Sequence, residues 1–275
     1  MTFENSIPLG PYEFDDFDYS ILEDKIIIDR CWSNEETVIV PEIIDDIPVI
    51  EIGANAFEDR KFLKNIILPS TLIRIDNEAF AGCDCLESVT FPEGLIEIKQ
   101  WAFNNCPSLK KVNLPNSLKA IGYGAFEACT SLENIDLPNS LEDIGGWTFR
   151  GCTSLVSIKL PHNIKYLSGT FAMCESLKNV IIPDSVTEIG DCAFMGCISL
   201  EKVKIPHSVS VIGEAAFESC ESLNNITLPK NVRSISGRAF NGIPNLTVNC
   251  ELKCAPNGWE EDWNVCNCPV NWGVK

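Results

Sequence analysis

An aromatic side chain returns at a fixed interval through most of this chain. Phe57, Phe80, Phe103, Phe126, Phe149, Phe171, Phe194, Phe217 and Phe240 lie 23 residues apart, except for one step of 22 between Phe149 and Phe171. Proline keeps the same register at Pro69, Pro92, Pro115, Pro138, Pro161, Pro183, Pro206 and Pro229, with the same single shortening. Cysteine follows the phenylalanine by three residues at Cys83, Cys106, Cys129, Cys152, Cys174, Cys197 and Cys220. Three residue types with unrelated chemistry share one period, so the period belongs to the fold. A unit this small cannot bury its own apolar face and must stack on copies of itself. The 275 residues therefore read as one elongated array rather than two globular domains.

The average unit is L-x-x-I-x-L-P-x-S-L-x-x-I-G-x-x-A-F-x-x-C-x-S. Between Leu109 and Pro115 the apolar residues Leu109, Val112 and Leu114 are interleaved with Lys111 and Asn113. A period of two predicts a half-buried strand. The proline lacks a backbone donor and ends it. Leu118 and Ile121 form a second apolar pair, Gly122 permits a turn, and Ala125-Phe126 with Cys129 suits a short helical turn. Stacked strands lie about 4.8 Å apart, so nine rungs predict a body on the order of 45 Å long.

The L-x-x-I-x-L run resembles the strand signature of leucine-rich repeats, and the 23-residue period with I-G-x-x-A-F-x-x-C is similar to the BspA-like subclass. The resemblance covers roughly residues 36–250. Trp263-Asn264, Asn267-Cys268-Pro269 and Trp272-Gly273 also resemble the C-terminal ends of bacterial members, and Cys250 and Cys268 resemble positions common there. The resemblance implies a right-handed, β-rich α/β solenoid. A parallel sheet would line its concave face, with short strands, turns and helical turns on the convex face. It also implies a protein-binding scaffold with no enzymatic activity; several members are surface proteins that bind host proteins or other cells.

Three parts of one continuous domain are expected. Residues 1–50 form an acidic N-terminal segment and cap, 51–245 the repeat array, and 246–275 a C-terminal cap whose Trp259, Trp263 and Trp272 cover the last Phe. Tyr19 to Ile28 and Thr37 to Pro41 read as a hairpin around Cys31–Glu35. The formal charge of −18 is concentrated at the start: residues 1–60 hold 16 acidic and three basic side chains, a balance of −13. Such a charge excludes a binder of nucleic-acid phosphates. The dense cluster Asp15-Asp16-Phe17-Asp18 lacks the glycine and distal glutamate of a calcium loop. Aliphatic runs stop at three or four residues, so no membrane helix is expected. The first residues show no basic and apolar export signal, which makes the cytoplasm the default compartment and the cell surface the alternative that the resemblance suggests. The sequons at Asn225 and Asn245 then carry no glycan.

Catalytic or cofactor patterns are not found: no nucleophile elbow, HExxH or Walker loop occurs. Gly122-Tyr123-Gly124 follows from the repeat. His162 and His207 occupy one column two rungs, about 10 Å, apart, too far to share a metal or a proton. The seven ladder thiols read as small apolar filler. Their parallel Cβ vectors oppose disulfides between neighbours. Cys250, Cys254, Cys266 and Cys268 are off the ladder. Packing or one disulfide is the first reading for them, and a zinc site stabilising the cap is the alternative.

Two surfaces remain for a protein partner. The outward columns of the strand are Asn65, Ser88, Lys111, Asn134, Ser157, Asn179, Lys202 and Asn225, then Ile67, Thr90, Asn113, Asp136, Lys159, Ile181, Lys204 and Thr227. Within them Lys111, Asn113, Asn134, Asp136, Ser157, Lys159, Lys202 and Lys204 are the candidate concave-face contacts. On the other side Trp101, Tyr123 and Trp147 fall on adjacent rungs and are expected to form an aromatic patch for a partner or for self-association.

Overall fold

The structure, a computed structural model, describes residues 16–274. The leading acidic residues up to Asp15 lie outside the described residues. From Phe17 onward the chain winds as a parallel-strand solenoid of about 11 turns.

Each rung contributes two short strands, and like strands stack into two ladders. The first ladder holds the expected strand, from Thr37–Ile39 and Asn65–Ile67 through Lys111–Asn113 to Asn225–Leu228. Equivalent residues pair in parallel without slippage, as Lys111 with Asn134 and Val112 with Ile135. The central residue is buried and its neighbours are exposed, as the period of two requires. The proline then opens a tight turn: its carbonyl accepts the N–H three residues on, as in Leu141 N to Pro138 O at 3.1 Å. That turn delivers a second strand of two residues, such as Glu97–Ile98, to the second ladder.

The aromatic column runs through the centre. All nine ladder phenylalanines are at most 1% exposed. Consecutive rings stack with centroids 4.8 to 5.9 Å apart. Both steps of 5.9 Å flank Phe149.

The segment around each phenylalanine is not helical, and the described residues contain no α-helix. Residues two before and two after the phenylalanine sit at positive φ, as Trp101 (55°) and Asn105 (54°) around Phe103. A left-handed residue brackets each phenylalanine on either side and breaks the helical path, so N–H groups point along the solenoid instead of back along a helix. Trp101, Phe103 and Asn105 donate to Tyr123, Ala125 and Glu127 of the next rung at 2.8 to 2.9 Å. This third set of rung-to-rung bonds replaces the expected helical turns. Gly122 is likewise not a turn residue. A Cβ there would come within 2.5 Å of the Gln100 nitrogen, so its role is close approach between rungs.

The thiol column does more than fill space. Each ladder Sγ donates to the carbonyl of the phenylalanine one rung back, from Cys83 to Phe57 O (3.1 Å) through Cys220 to Phe194 O (3.2 Å). Burial pushes the Cys129 and Cys197 thiols up to about 12. All 14 cysteines are free, and Cys254 and Cys266 are the exposed ones. Because the thiolate is the reactive form, an aromatic disulfide reagent is expected to label these two rapidly in native protein. The ladder seven should react only on unfolding. Stopped-flow absorbance before and after denaturant checks this; ladder thiols reacting in the first phase would contradict the hydrogen-bonded column.

The N-terminal end differs from expectation in its pairing. The N-terminal hairpin pairs Phe17–Leu22 antiparallel with Lys25–Cys31 and turns at Glu23-Asp24 (φ 49° and 59°), not at Cys31–Glu35. Two positive-φ residues give the turn that matches strand twist, whereas Thr37–Ile39 is drawn into the first ladder beside Asn65–Ile67. At the other end the first ladder continues in register through Thr247–Cys250 and Val270–Trp272. Trp259 bridges to Ile235 of the second ladder. Trp263 meets Phe240 edge-on at 6.1 Å and closes the aromatic column.

Candidate binding surface

The first ladder presents the two outward columns to solvent over its whole length. Lys111, Asn113, Asn134, Asp136, Ser157, Lys159, Lys202 and Lys204 are all exposed. Strand register brings Lys111 beside Asn134, Asn113 beside Asp136, Ser157 beside Asn179, and Asn179 beside Lys202. The period of two thus places every one of these residues on one face.

That face is not one unbroken sheet. The first ladder parts between Asn134–Asp136 and Ser157–Lys159, and again between Lys202–Val203 and Asn225–Leu228. The second ladder parts once, between Asp143–Ile144 and Tyr166–Leu167, at the same rung step as the first of these gaps. The rung after that step is the shortened one. Its missing residue lies between Leu167 and Phe171, where Leu-Ser-Gly-Thr-Phe replaces Ile-Gly-Gly-Trp-Thr-Phe. Each gap on the first ladder opens a cleft. One of about 200 Å³ is lined by Asn134, Asp136, Ser157, Lys159, Asn179 and Ile181. The other, of about 310 Å³, includes Lys204, His207, Asn225, Thr227 and Glu251. His207 Nδ1 lies 3.7 Å from a Glu251 carboxylate oxygen, while His162 is exposed two rungs away. The deletion was visible in the sequence; the gaps depend on how neighbouring rungs stack and were not.

The aromatic residues on the other side are placed differently from an open patch. Trp101 and Trp147 are half-buried, and each indole lies over the glycine of its own column one rung on. A Cβ on Gly124 would fall 2.5 Å from Trp101 Cδ1, and one on Gly169 would fall 2.5 Å from Trp147 Cδ2. Tyr123 stands edge-on to Trp101 at 5.8 Å and is 43% exposed. Arg150 covers Trp147 at 5.3 Å and is itself paired with Glu127.

The four cysteines of the C-terminal cap are not gathered around one point. Among the described residues no three His, Cys, Asp or Glu converge on a point that could hold a metal ion. Cys250 is buried on the strand Thr247–Cys250, and Cys254 is exposed. Cys266 Sγ instead accepts the Gly242 N–H at 3.1 Å. Other titratable clusters are structural. Glu51, Arg74 and Glu97 form a stacked ion-pair row on the second ladder, and burial together with a shared hydrogen bond to Asp76 holds the Glu51 carboxyl above its ordinary range. No helix among the described residues is long and apolar enough to cross a membrane.

A family model described as a BspA type leucine-rich repeat region of six copies matches residues 50–170 and 167–252. Among solved structures, a leucine-rich repeat protein of T. pallidum is 35% identical, with a TM-score of 0.65 over 69% of this chain and 90% of that one. A leucine-rich repeat protein of Bacteroides ovatus is 25% identical, with a TM-score of 0.51 over 96% and 92% of the two chains. The pneumococcal vaccine antigen PcpA shares the fold at 20% identity, with a TM-score of 0.50 over 87% and 81%. A search of curated proteins gives no match.

Proposed function

The chain belongs to the BspA-type leucine-rich repeat family, and from that premise we propose that it is a non-enzymatic protein-binding scaffold that engages its partner through the first-ladder face. The observation that carries this reading is the pair of outward columns, exposed and held in strict register from one rung to the next. Proteins of this family generally serve as interaction scaffolds. A rigid ladder fixes side chains at about 4.8 Å intervals and orders no loop on binding, which keeps the entropy cost of association low. The outward columns carry a single carboxylate, Asp136, and no histidine or cysteine, a composition suited to recognition rather than to acid–base chemistry. The half-buried Trp101 and Trp147 spend their rings on glycines of the next rung, which makes the opposite side the weaker docking surface.

The test is affinity capture from native cell lysate with two baits, the wild-type chain and a variant carrying Asn113→Arg, Asn134→Arg and Asn179→Arg. These exposed positions leave the core intact. At least one protein should be retained by the wild type and lost by the variant. Retention no better than bare resin, or the same proteins on both baits, would remove the proposal.

A further inference from the structure

The two gaps in the first ladder isolate a middle sheet of three strands, Ser157–Lys159, Asn179–Ile181 and Lys202–Val203. Its outward positions, with Lys204 one residue beyond, hold three lysines and no carboxylate. The corresponding positions from Asn65 to Asp136 hold one lysine and one aspartate. In a chain of net charge −18 this is an unusual concentration of one sign.

These cations are also unspent. Among the described residues, lysine ion pairs belong to Lys61, Lys64, Lys99, Lys110 and Lys119, all in earlier rungs. Lys159, Lys202 and Lys204 have no carboxylate partner among the described residues, although Asp136 lines the neighbouring cleft and Glu201 is exposed beside Lys202. Ile181 sits between Lys159 and Lys204 in the same column and is 60% exposed, so the cations surround an apolar side chain open to solvent.

Resting on the reading of this face as the binding surface, we propose that the middle sheet docks an extended acidic segment of a partner protein that carries an apolar residue between its carboxylates. Lys159 and Lys204 stand two rungs, about 10 Å, apart, the reach of about three residues of extended chain. Carboxylates at positions i and i+3 therefore meet the two lysines while an intervening side chain covers Ile181. Lys202 offers a further cation one column away. The clefts at the two gaps leave room for the segment to enter and leave. The protein's overall negative charge repels acidic chains at long range, so only a segment that reaches these lysines at close quarters gains from them.

The probe is a fluorescein-labelled peptide repeating Glu-Leu-Ser-Glu, read by fluorescence anisotropy against its Gln and Lys counterparts at low and physiological salt. The Glu peptide is expected to bind at least about tenfold more tightly than either counterpart, a difference of about 1.4 kcal/mol, and to weaken as salt rises. Replacing Lys159, Lys202 and Lys204 together by Ser should lower its affinity about tenfold or more, while Lys165→Ser, at an exposed lysine beside the second-ladder strand Tyr166–Leu167, leaves it unchanged. Unaltered far-UV dichroism and melting would show that the triple variant folds. Equal binding of the Gln peptide, or full binding by the triple variant, overturns the proposal. So does sedimentation showing that the wild type self-associates through these lysines, because the occupant would then be the acidic end of a second copy. A partner captured through the face without any Glu-peptide binding would refute the acidic segment alone and leave the scaffold reading in place.

Discussion

Phe126→Ala is expected to lower the unfolding free energy by about 3–5 kcal/mol, a large share of the roughly 5–15 kcal/mol of an ordinary domain. Phe126 is fully buried, with ring centroids 5.4 Å from Phe103 and 5.9 Å from Phe149 at interplanar angles of 5° and 11°. Its backbone bonds survive the substitution: its N–H still donates to Thr148 O at 2.9 Å and its carbonyl still accepts Cys152 Sγ at 3.2 Å. The loss is therefore the ring, its stacking and the cavity left behind. A solenoid repairs such a cavity poorly, because each rung touches only its neighbours and their strands are pinned on both sides. The neighbouring rung step, where both ladders part, has few strand bonds to bridge the weakened point. Denaturant unfolding followed by far-UV dichroism should show a lower midpoint, with the transition broadening or dividing as the two halves uncouple. Phe62→Ala, at a side chain 68% exposed, should stay within about 0.5 kcal/mol of wild type. A cost below about 1 kcal/mol for Phe126→Ala would contradict the aromatic column as the spine of the fold.

The parts of this molecule that were legible in its sequence are those where side-chain type alone decides position. Phenylalanine, proline and cysteine recur because the core needs a ring, the strand needs an end and the narrow space beside the ring admits only a small group. The outward columns were legible because alternation along Lys111–Asn113 has one physical meaning. Three features were not. The left-handed column before each phenylalanine holds Asn55, Glu78, Trp101, Gly124, Trp147, Gly169, Cys192, Ala215 and Arg238, which share no composition. There the conformation is imposed by the N–H bond to the next rung, not by residue preference. The acceptor of each ladder thiol is a carbonyl 25 or 26 residues earlier, and a backbone group leaves no mark on the sequence. The isolation of the middle sheet needs two gaps, of which only the first lies at the shortened rung; the second falls between rungs of ordinary length and leaves no mark on the sequence. As a result the cations at Lys159, Lys202 and Lys204 read from sequence only as part of a generally polar face.

Gly169→Ala is expected to be costly for so small a change, and its cost should depend on Trp147. Gly169 lies at φ +57°, in the shortened rung, and its N–H donates to Asp191 O at 2.8 Å. A left-handed backbone with a Cβ costs on the order of 1–2 kcal/mol. Ala128 and Ala215 show that the fold bears that cost where nothing else stands in the way. At Gly169 something does: the new Cβ would fall 2.5, 2.6 and 2.8 Å from Trp147 Cδ2, Cε2 and Cε3, inside the ring itself rather than at a flexible tip. The indole must swing out, losing its cover on the glycine and its contact with Arg150. A total of about 2–4 kcal/mol is expected from strain and lost packing together. In a Trp147→Ala background the clash disappears and only the backbone part remains, so the double-mutant cycle should show a coupling of about 1–2 kcal/mol. Chemical denaturation of the four proteins measures it, and a blue-to-red shift of tryptophan emission in Gly169→Ala reports the exposed indole. Additive costs, with no change in emission, would mean that the Trp147 ring does not lie on Gly169. Strong coupling would assign Trp147 to holding adjacent rungs together, the role expected of a ring packed on the glycine of the next rung rather than offered to solvent.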